Sequence, residues 1–173
     1  MLDNIRAHSL VVARIAEFLG RELIKRGLDL NIDLVVGGAL LHDIGKTACL
    51  NNGRNHALLG ADICNTHGFN EVAPLVAQHV ILADDLPGEP DARQIVYYAD
   101  KRVNHDQVVS LEARLAYIVE RYGFNDSRRC AAIRRNFNRC YEIEKTIFSY
   151  LGEEPEYLLR SLPRQSDFEI KAA

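Results

Sequence analysis

Residues 37–46, G-G-A-L-L-H-D-I-G-K, constrain this chain more than any other stretch. Residues 34–43 read as a helix that is apolar on nearly every side, which marks the central member of a helical bundle. That helix ends in an imidazole and a carboxylate, His42 and Asp43. Neither gains from burial without a hydrogen-bonding partner or a metal ion. Gly37 and Gly38 allow a neighbouring helix to come close, Ile44 and Gly45 turn the chain, and Lys46 follows.

Helical spacing organises the sequence on both sides of this stretch. A first helix, capped by Asp3 or Asn4 and stopped at Gly27, turns His8, Val11, Ile15, Phe18 and Leu19 inward. Asn31 or Asp33 caps the second, residues 34–43. A third opens at His56 and ends near Gly68, with His56, Leu59, Gly60 and Ile63 as its inner stripe. Asn70 caps a fourth, in which Val72, Leu75, Val76 and His79 share a face. A fifth, residues 91–104, points Ile95, Val96, Ala99, Asp100 and Val103 inward. Ser110 and Asp126 or Ser127 cap two later helices that close at Gly123 and Gly152, and Pro155 opens a last short one. No segment alternates with period two. The chain is therefore expected to be all-α, a bundle of seven or eight helices. It is expected to form a single domain, with a core at residues 1–105 and C-terminal helices at 106–173 packed on it.

A chain of 173 residues can bury about two-thirds of its unfolded surface, so this core needs no disulfide staples. Cys49, Cys64, Cys130 and Cys140 form no C-x-x-C pair and read as free thiols in a reducing compartment. The net charge of −3 gives no bulk electrostatic reason to bind nucleic acid. No apolar run reaches the length of a membrane span, and the N-terminus lacks the regions of a signal peptide. The expectation is a cytoplasmic protein with no membrane partner.

Six residues that can bind metal fall on inward faces: His8, His42, Asp43, His56, His79 and Asp100. Two other histidines, His67 and His105, fall on outer faces. Buried aspartate is rare unless it is paired or metal-bound. Imidazole with carboxylate suits Mn²⁺, Fe²⁺, Co²⁺, Ni²⁺ or Zn²⁺, whereas Mg²⁺ favours all-oxygen surroundings. Two His and two Asp would leave open positions on one ion for water and substrate. The other two His could hold a second ion if one carboxylate bridges the pair.

The sequence also resembles a family. His8 in H-S-L-V-V-A, the H-D-I-G-K-T run, His56 in H-A-L-L-G-A-D-I, His79 in V-A-Q-H-V and Asp100 in V-Y-Y-A-D-K are similar to the HD-domain metal-dependent phosphohydrolases. The resemblance covers about residues 5–103. It implies a first metal site of His8, His42, Asp43 and Asp100. It also implies a second ion held by His56 and His79, with Asp43 as the bridge. Many two-metal members carry a His-His pair where this chain has Gln78-His79, so the second site has one fewer ligand to draw on. The H-D-G-Y-P signature of cyclic-dinucleotide phosphodiesterases is absent.

The implied reaction is hydrolysis of a phosphate ester or anhydride in a small phosphorylated molecule, a nucleotide first among them. One or two divalent transition-metal ions would activate the water, with Asp43 and Lys46 as catalytic residues. Two alternatives share the ligand set: a di-iron oxygenase, and a non-catalytic nucleotide-sensing module, against which the complete set of six ligands argues. Around the motif, Arg54 is either a phosphate contact or an exposed loop residue, and Asp84 and Asp85 are a general acid, partners of a ligand imidazole or, first among these readings, loop solvation. Lys101 and Arg102 are expected to turn away from Asp100. Arg128, Arg129, Arg134, Arg135 and Arg139 read as a solvated face paired with Glu142 and Glu144. Substrate identity and oligomeric state have no readable signal.

Overall fold

The computed structural model describes residues 1–50, 52–83 and 88–162. Helix α1 (Asp3–Lys25) begins without a side-chain cap, because Leu2 occupies the N-cap and Asp3 is already helical. Its inner stripe carries His8, Val11, Val12, Ile15, Leu19 and Leu23. Helix α2 (Ile32–Leu41) is capped by Asn31, whose side chain accepts from the Leu34 N–H. It stops one residue before His42. His42 to Lys46 therefore lie in turns, followed by a 3-10 turn, Thr47–Cys49.

Asn55 caps α3 (His56–Thr66), which puts His56 at the helix's first position. The deepest residues of α3 are Ala57, Gly60 and Cys64, and Leu59 and Ile63 are half-buried beside them. Helix α4 (Ala73–Gln78) starts from Val72 with Pro74 in its first turn, so Asn70 lies in the preceding turn and does not cap it. Asp91 and Gln94 cap α5 (Ala92–Lys101) reciprocally.

Helix α5 stops three residues short of the expected end. The chain turns back in a two-residue antiparallel hairpin, β1 (Val103–Asn104) with β2 (Gln107–Val108), through His105 at φ 55°. Helices α6 (Leu111–Tyr122), α7 (Ser127–Leu151) and α8 (Glu156–Ser161) follow, capped as expected by Ser110 and Asp126 for the first two. The described chain is all-α apart from this hairpin, with eight α-helices.

Helix α5 is enclosed by α1, α2, α4 and α7, and every residue from Gln94 to Lys101 is buried. Ile15, Leu19, Ile95, Tyr97, Tyr98, Phe137 and Ile147 form the middle of the core. Two glycines set the approach of α2 and its exit to their neighbours. A Cβ on Gly38 would lie 2.5 Å from Leu75 Cδ2, and one on Gly45 would lie 2.4 Å from the His56 carbonyl oxygen. The exit of α2 is thereby held against the start of α3, which brings His42 and Asp43 beside His56. Among the described residues no helix is long and apolar enough to cross a membrane.

Candidate metal centre

His8, His42 and His79 are oriented by the same device. Each donates its Nδ1–H to a backbone carbonyl at 2.7 Å: His105, Ala39 and Val76 respectively. That bond fixes the ring and turns Nε2 inward, the arrangement that prepares imidazole for a metal. His8 comes from α1, His42 from the turn after α2, and His79 from the end of α4. His56 adds its Nε2 from the first turn of α3, and Asp100 comes from α5.

Asp43 stands between these rings. Its Oδ2 lies 3.5 Å from His42 Nε2 and 4.0 Å from His8 Nε2. Its Oδ1 lies 3.3 Å from His56 Nε2 and 3.5 Å from His79 Nε2. Two triads of potential ligand atoms result, His8–His42–Asp43 and Asp43–His56–His79, each with its atoms within 4.8 Å of one another. Asp43 belongs to both. Asp100 adjoins the first triad, with Oδ1 3.1 Å from His8 Nε2 and 3.8 Å from His42 Nε2. All six residues singled out from the sequence are therefore brought to one place.

The electrostatics favour a cation there. Burial alone would raise the Asp43 carboxyl, but the imidazoles of His42, His56 and His79 around it hold it far below the usual carboxylate range. Asp100 is buried too, and Lys101 with His8 keeps it ionised. Burial opposes charge on His42, yet Asp43 and Asp100 raise its pKa, so the two carboxylates draw positive charge to this point. His79 is pushed down to about 4 by burial and is a neutral donor ring at pH 7. His42 Nε2 is fully buried and has no hydrogen-bond partner. A buried lone pair aimed at two carboxylates is stable only with a proton or an ion between them. The donor set fits a divalent transition metal.

The triads open into a cavity of about 510 Å³. Asp43 and Asp100 are its acidic lining residues, and Lys46, Arg54, Lys101 and Arg114 its basic ones. Lys46 donates to Asp43 Oδ2 at 2.7 Å, and that carboxylate raises the lysine's pKa against the opposing effect of burial. Arg54 is exposed at the rim. Leu50, Ile81, Ile118, Tyr122, Ile133 and Phe137 supply much of the remaining wall.

Two readings of residues around the site change with the structure in hand. Lys101 turns toward the site, donating to Asp100 Oδ2 at 2.8 Å and to the His79 carbonyl at 2.9 Å. Arg102 does turn away, into a buried network with Tyr98 and Glu144. Glu144 is thus engaged with Arg102 rather than with the α7 arginines, of which Arg128, Arg129, Arg134 and Arg135 are exposed. Arg114 had no sequence signal: it reaches the cavity because α6 presents Arg114, Ile118 and Tyr122 along one line. Asp84 and Asp85 lie outside the described residues. The four cysteines are free, and Cys49 lines the cavity.

A fold of this kind, with His/Asp triads at the exit of a central helix, defines a helical protein with a candidate metal site. The HD domain family model matches residues 5–122, and the chain belongs to that family. The match continues past residue 105 to the end of α6. An uncharacterized protein of Methanocaldococcus jannaschii is 34% identical over 46% of this chain and 46% of its own length. Ribonuclease Y of Acetivibrio thermocellus is 39% identical over 44% of this chain, and the shared part is 14% of that enzyme. Ribonuclease Y of a Sulfurovum species is 28% identical over 85% of this chain and 30% of its own length. The chain thus spans less than half of each of these relatives. No solved structure matches it at a significant level.

Proposed function

We propose that this protein is a metal-dependent phosphohydrolase that cleaves a phosphate ester or anhydride of a small phosphorylated molecule, a nucleotide in particular. The observation that carries this reading is the pair of triads sharing Asp43 at the base of a cavity with cationic and apolar walls. In this reading His8, His42, Asp43 and Asp100 hold one ion, and His56 and His79 hold a second that Asp43 shares. Such ions, when bound, lower the pKa of a coordinated water and make hydroxide available near neutral pH.

The chain's own residues account for the rest. Nδ1-anchored rings keep the donor nitrogens in place without reorganisation. Lys46, 2.7 Å from Asp43, stands where it can donate to a phosphoryl oxygen beside the ions. The apolar stretch of α6 and α7 suits the face of a base or another flat group, and the volume falls in the range of small-ligand pockets.

The test is phosphate release from a panel of nucleotides, simple phosphoesters and a short RNA, with Mn²⁺, Fe²⁺, Co²⁺, Ni²⁺, Zn²⁺ and Mg²⁺ in turn and bound metal measured. Turnover of small phosphoesters with a transition metal supports the reading. Cleavage confined to RNA would move the substrate toward that of the ribonuclease Y relatives. Oxygen consumption by the iron-loaded protein, without phosphate release, would replace hydrolysis with oxygenation. Lys46→Met should cut kcat/KM by about 10- to 100-fold, the scale of one charge-assisted hydrogen bond, with metal content retained.

A further inference from the structure

Resting on that reading, the geometry points to Arg114 as the residue that receives a terminal phosphoryl group, which makes the substrate a phosphomonoester dianion rather than an internal diester. Of the lining cations, two already hold a carboxylate. Lys46 is 2.7 Å from Asp43, and Lys101 is 2.8 Å from Asp100. Arg114 is not placed that way. Its nearest acidic oxygen, Asp100 Oδ1, is 4.0 Å from Nη2 and is already met by His8 at 3.1 Å. Nη1 donates to Asn104 Oδ1 at 3.0 Å, which anchors the guanidinium to the β1–β2 hairpin. Nε is buried with no partner.

The Arg114 side chain is only 11% exposed. The guanidinium lies over the Tyr117 ring, 5.6 Å from its centroid, and Nη2, with no carboxylate at hydrogen-bonding distance, is the donor that an anion in the cavity would complete. A phosphoryl group matches the planar fork of arginine.

Burial gives the direction in which such a substrate lies. Arg114 and Lys101 are at the enclosed end, next to Asp100. Leu50, Ile81 and Tyr122, at 50%, 70% and 48% exposure, are the exposed part of the lining. One substituent on phosphorus can run outward along Ile118 and Tyr122 of α6. A second would have to enter the buried cationic end in place of the third non-bridging oxygen. That oxygen, and the second negative charge that accompanies it, is what distinguishes a monoester from a diester.

The experiment compares 4-nitrophenyl phosphate with bis(4-nitrophenyl) phosphate for wild type, Arg114→Met and Arg114→Lys, each loaded with the same metal. It also records the thermal shift produced by inorganic phosphate, which needs no turnover. The wild type should favour the monoester in kcat/KM, and phosphate should stabilise it. Arg114→Met should lower the monoester-to-diester ratio at least tenfold, mainly through KM, and should abolish the phosphate shift at wild-type metal content. Arg114→Lys should recover only part of each effect, because it restores charge without the fork. Added guanidinium ion should partly rescue Arg114→Met on the monoester.

A wild type that prefers the diester would overturn the assignment. So would an Arg114→Met protein that keeps the ratio and the phosphate shift. If Arg114→Met loses stability or metal and Arg114→Lys keeps the full ratio, the residue is a tether for Asn104, and the assignment fails. If no phosphoester is turned over, the hydrolase reading fails, while the phosphate shift still decides the anion site.

Discussion

The Nε2 atoms of His56 and His79 face each other at 3.2 Å. Asp43 Oδ1 lies 3.3 Å from the first and 3.5 Å from the second. His79 has its Nδ1–H on the Val76 carbonyl, and burial keeps its ring neutral at pH 7, so its Nε2 is a bare lone pair. A lone pair, a carboxylate oxygen and a second imidazole thus converge on one spot. One proton on His56 Nε2 satisfies part of this arrangement, whereas a cation satisfies all of it.

That convergence makes metal a stabiliser of the folded state. An ion that binds the native chain and not the unfolded one adds about 2.7 kcal/mol at a hundredfold excess over its Kd. For a chain of this size the expected rise in Tm is about 5–10 °C. Differential scanning fluorimetry with each transition metal checks it, and no shift with any of them would remove the metal site. Chelation should reverse the rise while far-UV circular dichroism stays helical, because the apolar core of α1, α2, α5 and α7 does not depend on the site.

Gly45 is where the metal site and the fold share one requirement. A Cβ there would meet the His56 carbonyl at 2.4 Å and the Gly60 nitrogen at 2.7 Å, both backbone atoms that cannot swing aside. Gly45→Ala should therefore push α3 away from the α2 exit and destabilise by about 1–3 kcal/mol. It should also weaken the His56–His79 side of the site more than the His8–His42 side. Denaturant melts and metal content test this together, and an unchanged protein would show that the turn has slack.

How far the sequence could be read follows from what its period can and cannot encode. Inward phase marks His8, on a helix with one apolar stripe, and His79, at the end of such a helix, as buried, and both are; Asp100 is buried on a helix that is enclosed on several sides. The end of the apolar second helix marks His42 and Asp43, and the inward stripe of the third marks His56. Lys101 was misread because α5 has no outer face: neighbours on several sides bury Gln94 to Lys101, so rotation from Asp100 says nothing about exposure. The end of α5 was overrun because Val103 continues the apolar stripe. Yet the chain leaves the helix there, and the hairpin's His105 carbonyl becomes the anchor for His8. Arg114 was invisible because its role depends on where α6 packs, which no local pattern in residues 111–122 records.

Away from the site, Arg102 and Glu144 form a buried pair in which one partner cannot be removed cheaply. Arg102 is 3% exposed, its Nη1 lies 3.3 Å from Glu144 Oε2, and it also donates to Tyr98 Oη and to the Val109 carbonyl. Glu144→Ala leaves the guanidinium without its counter-charge and should cost about 3 kcal/mol. Replacing both, as Arg102→Met with Glu144→Leu, should cost less than the single change. Urea melts of the wild type and the two variants decide it, and a double variant that loses as much as Glu144→Ala or more would overturn it.

Asp43→Ala should be the most damaging single change in the site. Asp43 is the residue that belongs to both triads, with one oxygen facing each. Removing it takes a donor from each of the two proposed ions and deletes a negative charge that offsets them. The four rings would then face two divalent cations with Asp100 alone as counter-charge. The expected result is near-complete loss of hydrolysis and of the second metal. The fold should persist, because Asp43 lies in a turn and belongs to neither apolar cluster of the core. His56→Ala removes one ring that is 28% exposed in its side chain and touches one triad only. It should keep the ion at His8 and His42, with residual turnover. Metal content and activity of the two variants, measured under one metal condition, give the order of the effects. If His56→Ala abolishes activity while Asp43→Ala retains it, the two oxygens of Asp43 do not serve two ions, and the bridging role passes from this carboxylate.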